Sequence, residues 1–520
     1  MKNILSSPYL LTFLAGMVAV LGFAPFGCFP LPVLALAVLF WLWSRAERPA
    51  QAAWIGFAFG MGLFCVGVSW IYVALHEYGY MHPVLAALAT ALFAAVNATL
   101  PTAAGYAQAK LRPFVVSLSN HERPFDRLRA NGVWMLLIMP AIWTLAEWLR
   151  GLLFTGFPWL SFGYSQVPAS PLAGYAPLFG VYGVSLLVAL SAGLLLVLWN
   201  ARWSKHGKIA LGVLLLLWVG GALLRGVAWT QPQGEPLKVS LLQGNIPQDT
   251  KFAEDALVNT LETYRRLAQS SDARLIVMPE TALPLLREYV PETYQQILRN
   301  HARANGGDIL IGAFEKENGN YYNSVYSLGS ADSQHYRKNH LVPFGEFIPL
   351  RSVLGWLINE VLQIPMGDQT SGGAQQPPFN VAGQKVAVNI CYEDAFGEEI
   401  IRALPQATLL VNVTNDAWYG DSFAAMQHNQ LSQMRALETG RMMLRATNTG
   451  VTSVIGVDGR ILMMLPQHEE GVLTYSAQGY VGSTPYVRWG NGGMLVLIAV
   501  MLGAAWWLQR RASPRPLGEG

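Results

Sequence analysis

The stretch that decides the fold is Lys385-Val386-Ala387-Val388-Asn389-Ile390-Cys391-Tyr392-Glu393-Asp394. Val386, Val388 and Ile390 alternate with period two, which predicts a strand with one apolar face that ends near Cys391. Acidic residues follow, as they often do in the first turn of a helix. A thiol at such a junction would lie near helix N-terminal dipoles, which favour the thiolate and therefore a nucleophile. A buried, inert cysteine is the alternative, because free cysteine is commonly a small core residue.

The composition indicates a membrane protein. Charged residues make up 13% of the 520 residues and hydrophobic residues 52%, which is far from the balance of a soluble domain. A chain of this length predicts at least two domains. The net charge of +3 is small and gives no reason to expect a nucleic-acid partner.

The cysteines and histidines point away from disulfides and metals. The three cysteines are Cys28, Cys65 and Cys391, and only Cys391 lies outside the hydrophobic segments, so no disulfide framework is predicted. The nine histidines show no HExxH pattern, and those beside Arg337 and Lys338 have a poor setting for a cation. We therefore predict neither a metal ion nor another cofactor.

Apolar stretches of bilayer length fill the first part of the chain. Residues 1–229 predict a membrane domain of about seven transmembrane helices, and residues 494–509 predict one more. The first stretch could be a signal peptide, but the many similar runs after it favour a retained span. The predicted spans are residues 9–26, 31–45, 53–75, 84–108, 133–150, 178–199, 208–229 and 494–509.

Basic residues alternate between the loops that join these spans. By the positive-inside rule, both termini are predicted to be cytoplasmic and the long segment before the last span to be outside, which is the periplasmic face in a bacterium. The polar stretch 113–132 predicts an inserted cytoplasmic loop, and 510–520 a cytoplasmic tail. The basic residues are Arg45, Arg48, Lys110, Arg112, Arg123, Arg127, Arg129, Arg202, Lys205, Lys208, Arg510 and Arg511.

A globular domain is predicted at residues 237–482, between polar linkers at 230–236 and 483–493. Strand and helix candidates alternate there, which argues for a layered α/β domain. The strand candidates are residues 237–243, 275–278, 309–314, 324–328, 386–390, 408–413 and 451–457, and the helix candidates are residues 255–270, 291–305 and 426–444.

Glu280, Lys338 and Cys391 have complementary chemistry. Glu280 follows an apolar strand, and strand ends at one edge of a layered sheet can converge even when they are distant in sequence. A glutamate can act as general base for a thiol, and a lysine can stabilise a developing oxyanion. Taken singly, each residue is better explained without a catalytic role, Glu280 as a surface carboxylate and Lys338 as a solvated charge, because lone charges are usually solvated.

Three motifs resemble the catalytic motifs of the nitrilase superfamily, and their order also matches. They are Pro279-Glu280-Thr281-Ala282, Lys338-Asn339-His340-Leu341-Val342-Pro343-Phe344-Gly345-Glu346 and Cys391-Tyr392-Glu393-Asp394. The frame of spans before and after the domain is similar to one membrane-embedded branch, bacterial apolipoprotein N-acyltransferase. Gln243-Gly244-Asn245-Ile246-Pro247 and Asn415-Asp416-Ala417-Trp418-Tyr419-Gly420 resemble further motifs of that branch.

The resemblance implies a multi-span α-helical membrane domain joined to a nitrilase-like αββα sandwich. It implies that Cys391 is the nucleophile, Glu280 the base and Lys338 the oxyanion partner. The reaction it implies is N-acylation of the N-terminal diacylglyceryl-cysteine of an apolipoprotein. The acyl donor would be a phospholipid, typically phosphatidylethanolamine, in a ping-pong transfer through a thioester on the cysteine.

Other motif positions are assigned by the same resemblance. Glu346, Tyr392 and Glu393 fall on positions that support the catalytic residues, and Trp418 falls on one near the lipid entrance. Phe252 stands where the branch leads us to expect tryptophan, which puts a ring-specific role there in doubt.

Residues 344–365 predict an amphipathic lid that would dip into the outer leaflet. Phe344, Phe347 and Trp356 lie in or beside this apolar stretch and are candidate substrate contacts. A helix packed in the domain core is the alternative.

Two other functions are compatible with parts of the sequence. A membrane-anchored nitrilase-type amidase could use the same residues to hydrolyse a small amide. A transporter or channel could carry an external domain in which Cys391 is structural, but the spans contain few ionisable residues for a pathway. We expect membrane lipid as a partner and a monomer as the default.

Overall fold

The structure, a computed structural model, describes residues 7–111, 132–348 and 368–512. The chain divides into two compact units. The first comprises Met1–Ser69, Ala87–Val227 and Trp489–Gly520, and the second comprises Trp70–Ala86 and Ala228–Arg488. Most of the predicted loop at 113–132 and of the predicted tail at 510–520 lies outside the described residues.

The first unit is built from apolar helices. In the described part of the chain, five helices are long and apolar enough to cross a membrane, namely Pro49–Gly67, Pro83–Lys110, Pro171–Ala201, Lys205–Leu224 and Gly492–Arg510. Two shorter apolar helices, Pro8–Gly22 and Pro30–Arg45, coincide with the first two predicted spans. The predicted span at 133–150 forms a π-helical turn, Trp134–Ile138, followed by helix Met139–Arg150.

Large apolar side chains lie exposed along these helices. Leu92 is 66% exposed, Leu216 is 70% exposed and Val500 is 62% exposed. Water would penalise such a surface, whereas lipid tails solvate it. The helical unit is therefore a membrane domain.

The predicted span at 53–75 is wrong in its last third. Its helix ends at Gly67, because Val68 leaves helical geometry with φ −120° and ψ 25°. Trp70 starts a separate short helix, Trp70–Val73, that belongs to the second unit. The Trp70 ring packs edge-on against Tyr419 at a centroid distance of 4.7 Å. This long-range contact is invisible to a local hydrophobic pattern.

Among its described residues, the second unit contains two β-sheets. Their strands are β1 (Thr230–Gln243), β2 (Leu275–Val277), β3 (Leu283–Leu286), β4 (Asp308–Glu317), β5 (Asn320–Gly329), β6 (His335–Arg337), β7 (Phe379–Val381), β8 (Gln384–Ile390), β9 (Leu409–Thr414), β10 (Met443–Thr447), β11 (Ser453–Ile455), β12 (Ile461–Met464) and β13 (Gly471–Gly482).

Both sheets are open, and each has a group of parallel strands at its centre. The seven-stranded sheet has the order β13-β1-β2-β4-β5-β6, with β3 paired to β4, and the six-stranded sheet has the order β12-β11-β10-β9-β8-β7. Strands β1, β2 and β4 are mutually parallel, and so are β8, β9 and β10. Because β5 is antiparallel to both β4 and β6, strand β6 runs in the same direction as β4.

The two sheets pack face to face around a shared apolar core. Val386, Val388 and Ile390 of β8 lie in this core with Val239 and Leu241 of β1. The period-two alternation predicted for β8 is therefore confirmed. Fully burying one such side chain stabilises the fold by about 1.5–3 kcal/mol.

Helices cover the outer faces of both sheets. Helices Glu254–Gln269 and Glu292–Ala304 lie on the seven-stranded sheet, where Leu298 is fully buried. Helix Ala424–Thr439 lies on the six-stranded sheet, where Ala436 is fully buried. The layers thus run helix, sheet, sheet, helix, which is the predicted αββα sandwich.

The structure differs from the prediction at both linkers of the globular domain and at the end of one helix. Residues 230–236 form the first part of β1 rather than a linker, since Thr230–Gln233 pairs with β13 across a bulge that ends at Leu237. Backbone pairing needs no hydrophobic pattern, so the side chains gave no sign of it. In the second predicted linker, 483–493, Pro485–Trp489 is helical.

The helix predicted at 426–444 ends earlier, at Thr439. Gly440 follows in the left-handed conformation with φ 65°, which glycine adopts at low cost and which commonly ends a helix. Met443 then begins β10, a central strand that the sequence pattern had merged with the helix.

Candidate active site

Strands from both sheets bring the three predicted catalytic residues together. Glu280 lies just beyond β2, Lys338 follows β6 directly and Cys391 follows β8 directly. Lys338 Nζ lies 3.6 Å from Glu280 Oε1. The charges of both residues act on the Cys391 thiol. Glu280 and Lys338 thus come from one sheet and Cys391 from the other, so that the site lies where the ends of the two sheets meet.

The Glu280 carboxylate is held on both oxygens. Asn323 Nδ2 donates to Oε1 at 2.7 Å, and the backbone N–H of Asn415 donates to Oε2 at 2.8 Å. Glu280 is only 7% exposed. Hydrogen bonds to an ionised group are stronger than neutral ones, so these two fix the orientation of the carboxylate. The sequence analysis did not identify Asn323, and it assigned no role to the Asn415 backbone.

Lys338 is a buried cation paired with a second carboxylate. Its Nζ donates to Glu346 Oε1 at 2.7 Å, and the backbone N–H of Val342 donates to Glu346 Oε2 at 2.8 Å. Burial alone would lower the pKa of the lysine, but Glu346 and Glu280 outweigh it and hold the pKa above its ordinary value. Lys338 therefore keeps a fixed positive charge in the site.

Cys391 is a half-buried thiol on a strained turn. Its φ is +55°, a left-handed conformation that is costly for a residue with a side chain and that clusters at functional sites. Burial raises the pKa of the thiol well above its ordinary value, the Glu280 charge raises it further, and Lys338 opposes both. The resting thiol is therefore protonated and needs a base before it can attack.

The prediction that a helix dipole activates Cys391 is wrong. Cys391–Ala395 forms a five-residue 3-10 turn rather than the start of a long helix. A turn of this length sums few peptide dipoles, so its field is small. Activation of the thiol depends instead on neighbouring charged side chains.

Glu393 ties the cysteine turn to the segment that carries Lys338. Burial raises the pKa of Glu393 to about 7, while hydrogen bonds to its carboxylate oppose that rise. The donors are the backbone N–H groups of Ile390, Asn339 and His340 and the hydroxyl of Tyr336. Tyr392 is also buried, and its ring packs edge-on against Phe396 at 5.1 Å.

Two of the candidate substrate contacts are more exposed. Trp418 is 44% exposed and packs against Tyr78 with ring centroids 6.2 Å apart. Phe344 is 55% exposed, and its backbone N–H donates to the Phe347 carbonyl. Trp356 and most of the predicted lid lie outside the described residues.

A buried charge cluster behind Cys391 escaped the sequence analysis. Arg445 donates to Asp394 and to Asp416, each at 3.0 Å. The two ring nitrogens of His428 lie 2.8 Å from Asp416 and 3.1 Å from Asp394, and Nε2 is also 3.3 Å from the Cys391 carbonyl. The cluster therefore braces the turn that presents the thiol.

One signal for this cluster was present in the sequence, because Arg445 interrupts the apolar strand β10. A second appears only in the structure: helix Ala424–Thr439 carries many polar residues, yet every residue except Met426 is buried. Buried charges require partners, so each signal implied a polar network. Neither signal indicated which residues form the network. Among the residues that the structure describes, no group of three or more His, Cys, Asp or Glu side chains is arranged to hold a metal ion.

Comparisons with known families agree with both halves of the architecture. Residues 15–194 match the apolipoprotein N-acyltransferase N-terminal domain, and residues 238–486 match the carbon-nitrogen hydrolase family. The fold and the comparisons together define a membrane protein that carries a nitrilase-superfamily domain.

Similar proteins extend over nearly the whole chain. An apolipoprotein N-acyltransferase from Nitrosomonas europaea is 52% identical over 94% of this chain and 95% of its own length. One from Methylococcus capsulatus is 43% identical, with 96% of each chain covered. This chain belongs to the apolipoprotein N-acyltransferase family. Among solved structures, the C. elegans NitFhit protein matches 49% of this chain and 62% of its own at 14% identity, with a TM-score of 0.35.

Proposed function

We propose that this protein transfers an acyl chain from a phospholipid to the N-terminal diacylglyceryl-cysteine of apolipoproteins, through a thioester on Cys391. Glu280 acts as the base and Lys338 as the oxyanion partner. The observation that carries the proposal is the meeting of a buried carboxylate and a buried ammonium, 3.6 Å apart, beside a thiol whose pKa both influence. The 52% identical relative that bears the same activity in its name supports the substrate class.

Acylation of the enzyme is the first half-reaction. Glu280 takes the thiol proton as the sulfur attacks the ester carbonyl of the phospholipid. The carbonyl oxygen becomes an oxyanion that the Lys338 ammonium stabilises. The ester C–O bond then breaks, the leaving alkoxide takes the proton back from Glu280, and a lysophospholipid departs.

Transfer to the acceptor is the second half-reaction. The neutral α-amino group of the diacylglyceryl-cysteine attacks the thioester carbonyl and gives a proton to Glu280. The C–S bond breaks, the amide is released, and the thiolate recovers the proton. Glu280 therefore alternates between base and acid, while Asn323 and the Asn415 backbone keep its carboxylate in place.

The supporting and binding residues have assigned parts in this proposal. Glu346 keeps Lys338 charged, and Glu393 and Tyr392 hold the cysteine turn. Trp418, Phe344, Phe347 and Trp356 contact the acyl donor. The exposed rings of Trp418 and Phe344 suit this role, because aromatic rings bind acyl chains while their edges remain near water.

The proposed location is the bacterial inner membrane, with the catalytic domain on the periplasmic side and both termini in the cytoplasm. The basic loops support this orientation by the positive-inside rule. The apolar helices of the first unit would span the membrane, and residues 230–482, from β1 to β13, would form the core of the catalytic domain of a monomer.

Intact mass of the purified protein tests the proposal. Incubation with phosphatidylethanolamine should add one acyl chain that hydroxylamine removes and that a diacylglyceryl peptide accepts. Cys391→Ala should gain no chain, whereas Cys65→Ala, the matched change at another free cysteine, should gain it as the wild type does.

Two outcomes would contradict the proposal. An enzyme that stays unmodified by phospholipid but hydrolyses small amides would be an amidase. A protein that is inactive in both assays would leave no role for the thiol, and a transporter with a structural cysteine would then be favoured.

A further inference from the structure

A second buried lysine lies directly behind the proposed base. Lys251 is 1% exposed and lies in the loop between β1 and helix Glu254–Gln269. Its Nζ donates to the backbone carbonyl of Glu280 at 3.3 Å and to Thr281 Oγ1 at 2.7 Å. The proposed mechanism gives this ammonium no part, although burying it is costly.

The turn that Lys251 holds is strained. Thr281 has φ +45°, which is unfavourable for a β-branched residue. A side chain at Gly312 of β4 would lie 2.3 Å from the Pro279 carbonyl and 2.7 Å from the Thr281 nitrogen, so the turn also lies unusually close to its neighbouring strand. A conformation of this kind persists only where surrounding contacts fix it, and the ammonium of Lys251 supplies two.

The same loop supports Glu280 from a second direction. Gln248 Oε1 accepts a hydrogen bond from Asn415 Nδ2 at 2.7 Å, and the Asn415 backbone N–H donates to Glu280 Oε2. Gln248 and Lys251 thus act on opposite ends of the glutamate: one through the residue that holds its carboxylate, the other through its main chain.

The charge of Lys251 also acts on Glu280. The Glu280 charge raises the pKa of Lys251, but burial outweighs it and lowers the pKa to about 8. An ammonium that feels the carboxylate must stabilise the ionised carboxylate in return, since the interaction is reciprocal.

We propose that Lys251 is a positioning residue for Glu280, which fixes the strained Glu280-Thr281 turn and keeps the carboxylate aimed at Lys338 and Cys391. The inference rests on the proposed function, because it takes Glu280 to be the base. It predicts that Lys251 affects the chemical step and not the binding of the acyl donor.

The test is single-turnover acylation of Cys391 by phosphatidylethanolamine, followed by intact mass across a range of pH. Lys251→Met should slow acylation by about 10- to 100-fold, as expected for loss of a buried charged hydrogen bond, with the half-saturating donor concentration unchanged. The pH profile should also differ from that of the wild type, because Lys251, whose pKa burial lowers to about 8, no longer contributes a charge beside Glu280. Lys238→Met, which removes an exposed lysine of β1 paired with Asp272, is the matched control and should behave as wild type.

A second pair of variants covers the case in which Lys251→Met does not fold. Thr281→Val removes the hydroxyl that accepts a hydrogen bond from Lys251, whereas Thr281→Ser keeps it. Thr281→Ser should therefore be acylated several-fold faster than Thr281→Val, because only the serine variant keeps this charged hydrogen bond. The inference is overturned if Lys251→Met keeps the wild-type rate and pH profile, or if the two Thr281 variants acylate equally fast. A wild-type protein that never forms the thioester would instead refute the proposed function, so the two failures are distinguishable.

Discussion

The ammonium of Lys338 lies 2.7 Å from Glu346 Oε1, and both side chains are largely buried: that of the lysine is 1% exposed and that of the glutamate is 13% exposed. Glu280 lies farther from the same nitrogen, at 3.6 Å. A buried ammonium needs a permanent counter-charge, and a base that is protonated during turnover cannot supply one continuously. This pairing assigns the counter-charge to Glu346 and leaves Glu280 free to exchange protons.

Glu346→Gln should therefore move the alkaline limb of thioester formation to lower pH. Burial lowers the pKa of Lys338 once the largest opposing charge is gone, so the ammonium is lost earlier as pH rises. We expect acylation near neutral pH to fall by about 10- to 100-fold in a single-turnover mass assay. Glu317→Gln, which removes an exposed carboxylate paired with Arg337, is the control. An unchanged alkaline limb in Glu346→Gln would refute this role.

The Cys391 thiol should become more reactive toward iodoacetamide when Glu280 is neutralised. The Glu280 charge raises the pKa of the thiol, so Glu280→Gln lowers that pKa, while Lys338→Met raises it. Each unit by which the pKa falls gives about tenfold more thiolate near neutral pH. Alkylation rates are measured in a Cys28→Ser/Cys65→Ser background, and Glu280→Gln should alkylate faster although it no longer forms the thioester. Equal alkylation rates in all variants would show that the three residues do not interact.

The buried charge cluster predicts a pH dependence of stability. Burial and Arg445 lower the pKa of His428, but Asp394 and Asp416 outweigh them and raise it to about 8. A histidine whose folded-state pKa is raised adds stability that is complete below its unfolded pKa and is lost as pH rises through about 8. The expected contribution is about 2 kcal/mol.

Thermal unfolding of the detergent-solubilised protein measures this pH-dependent contribution to stability. The wild-type Tm should fall between mildly acidic and mildly alkaline pH, and His428→Gln should lose part of that slope. His468→Gln, at an exposed histidine of the same domain, should keep it. The prediction fails if His428→Gln and wild type give parallel curves.

Trp418→Ala should weaken binding of the acyl donor and leave the chemical step intact. The ring is 44% exposed and held edge-on by Tyr78, so its removal creates little cavity. Loss of one aromatic contact should raise the half-saturating phospholipid concentration by about 2- to 10-fold, with the maximal acylation rate within error of wild type. Tyr289→Ala removes another exposed ring from the same unit, 67% exposed, and should change neither value. A slower maximal rate with unchanged half-saturation would assign Trp418 to the chemistry instead.

Local pattern predicted the elements whose side chains carry a periodic signal. Strand β8 is the best case, because burial between two sheets imposes alternation on Val386, Val388 and Ile390. The pattern failed where backbone pairing or one glycine decided the outcome, as at Thr230–Gln233 of β1 and at Gly440. It also failed at Trp70, whose partner Tyr419 is remote in sequence.

The sequence alone determined the chemistry available to this protein. It supplied a carboxylate, an ammonium and a thiol in nitrilase order, within a frame of apolar segments, because residue type fixes what a group can donate, accept or attack. Only the tertiary structure decided which groups surround them. The Asn415 backbone binds a carboxylate 135 residues away, Lys251 braces a turn 29 residues away, and Arg445 joins Asp394 and Asp416. Hydrogen bonds of this kind depend on distances that only the packing of two sheets creates, and no periodicity along the chain encodes them.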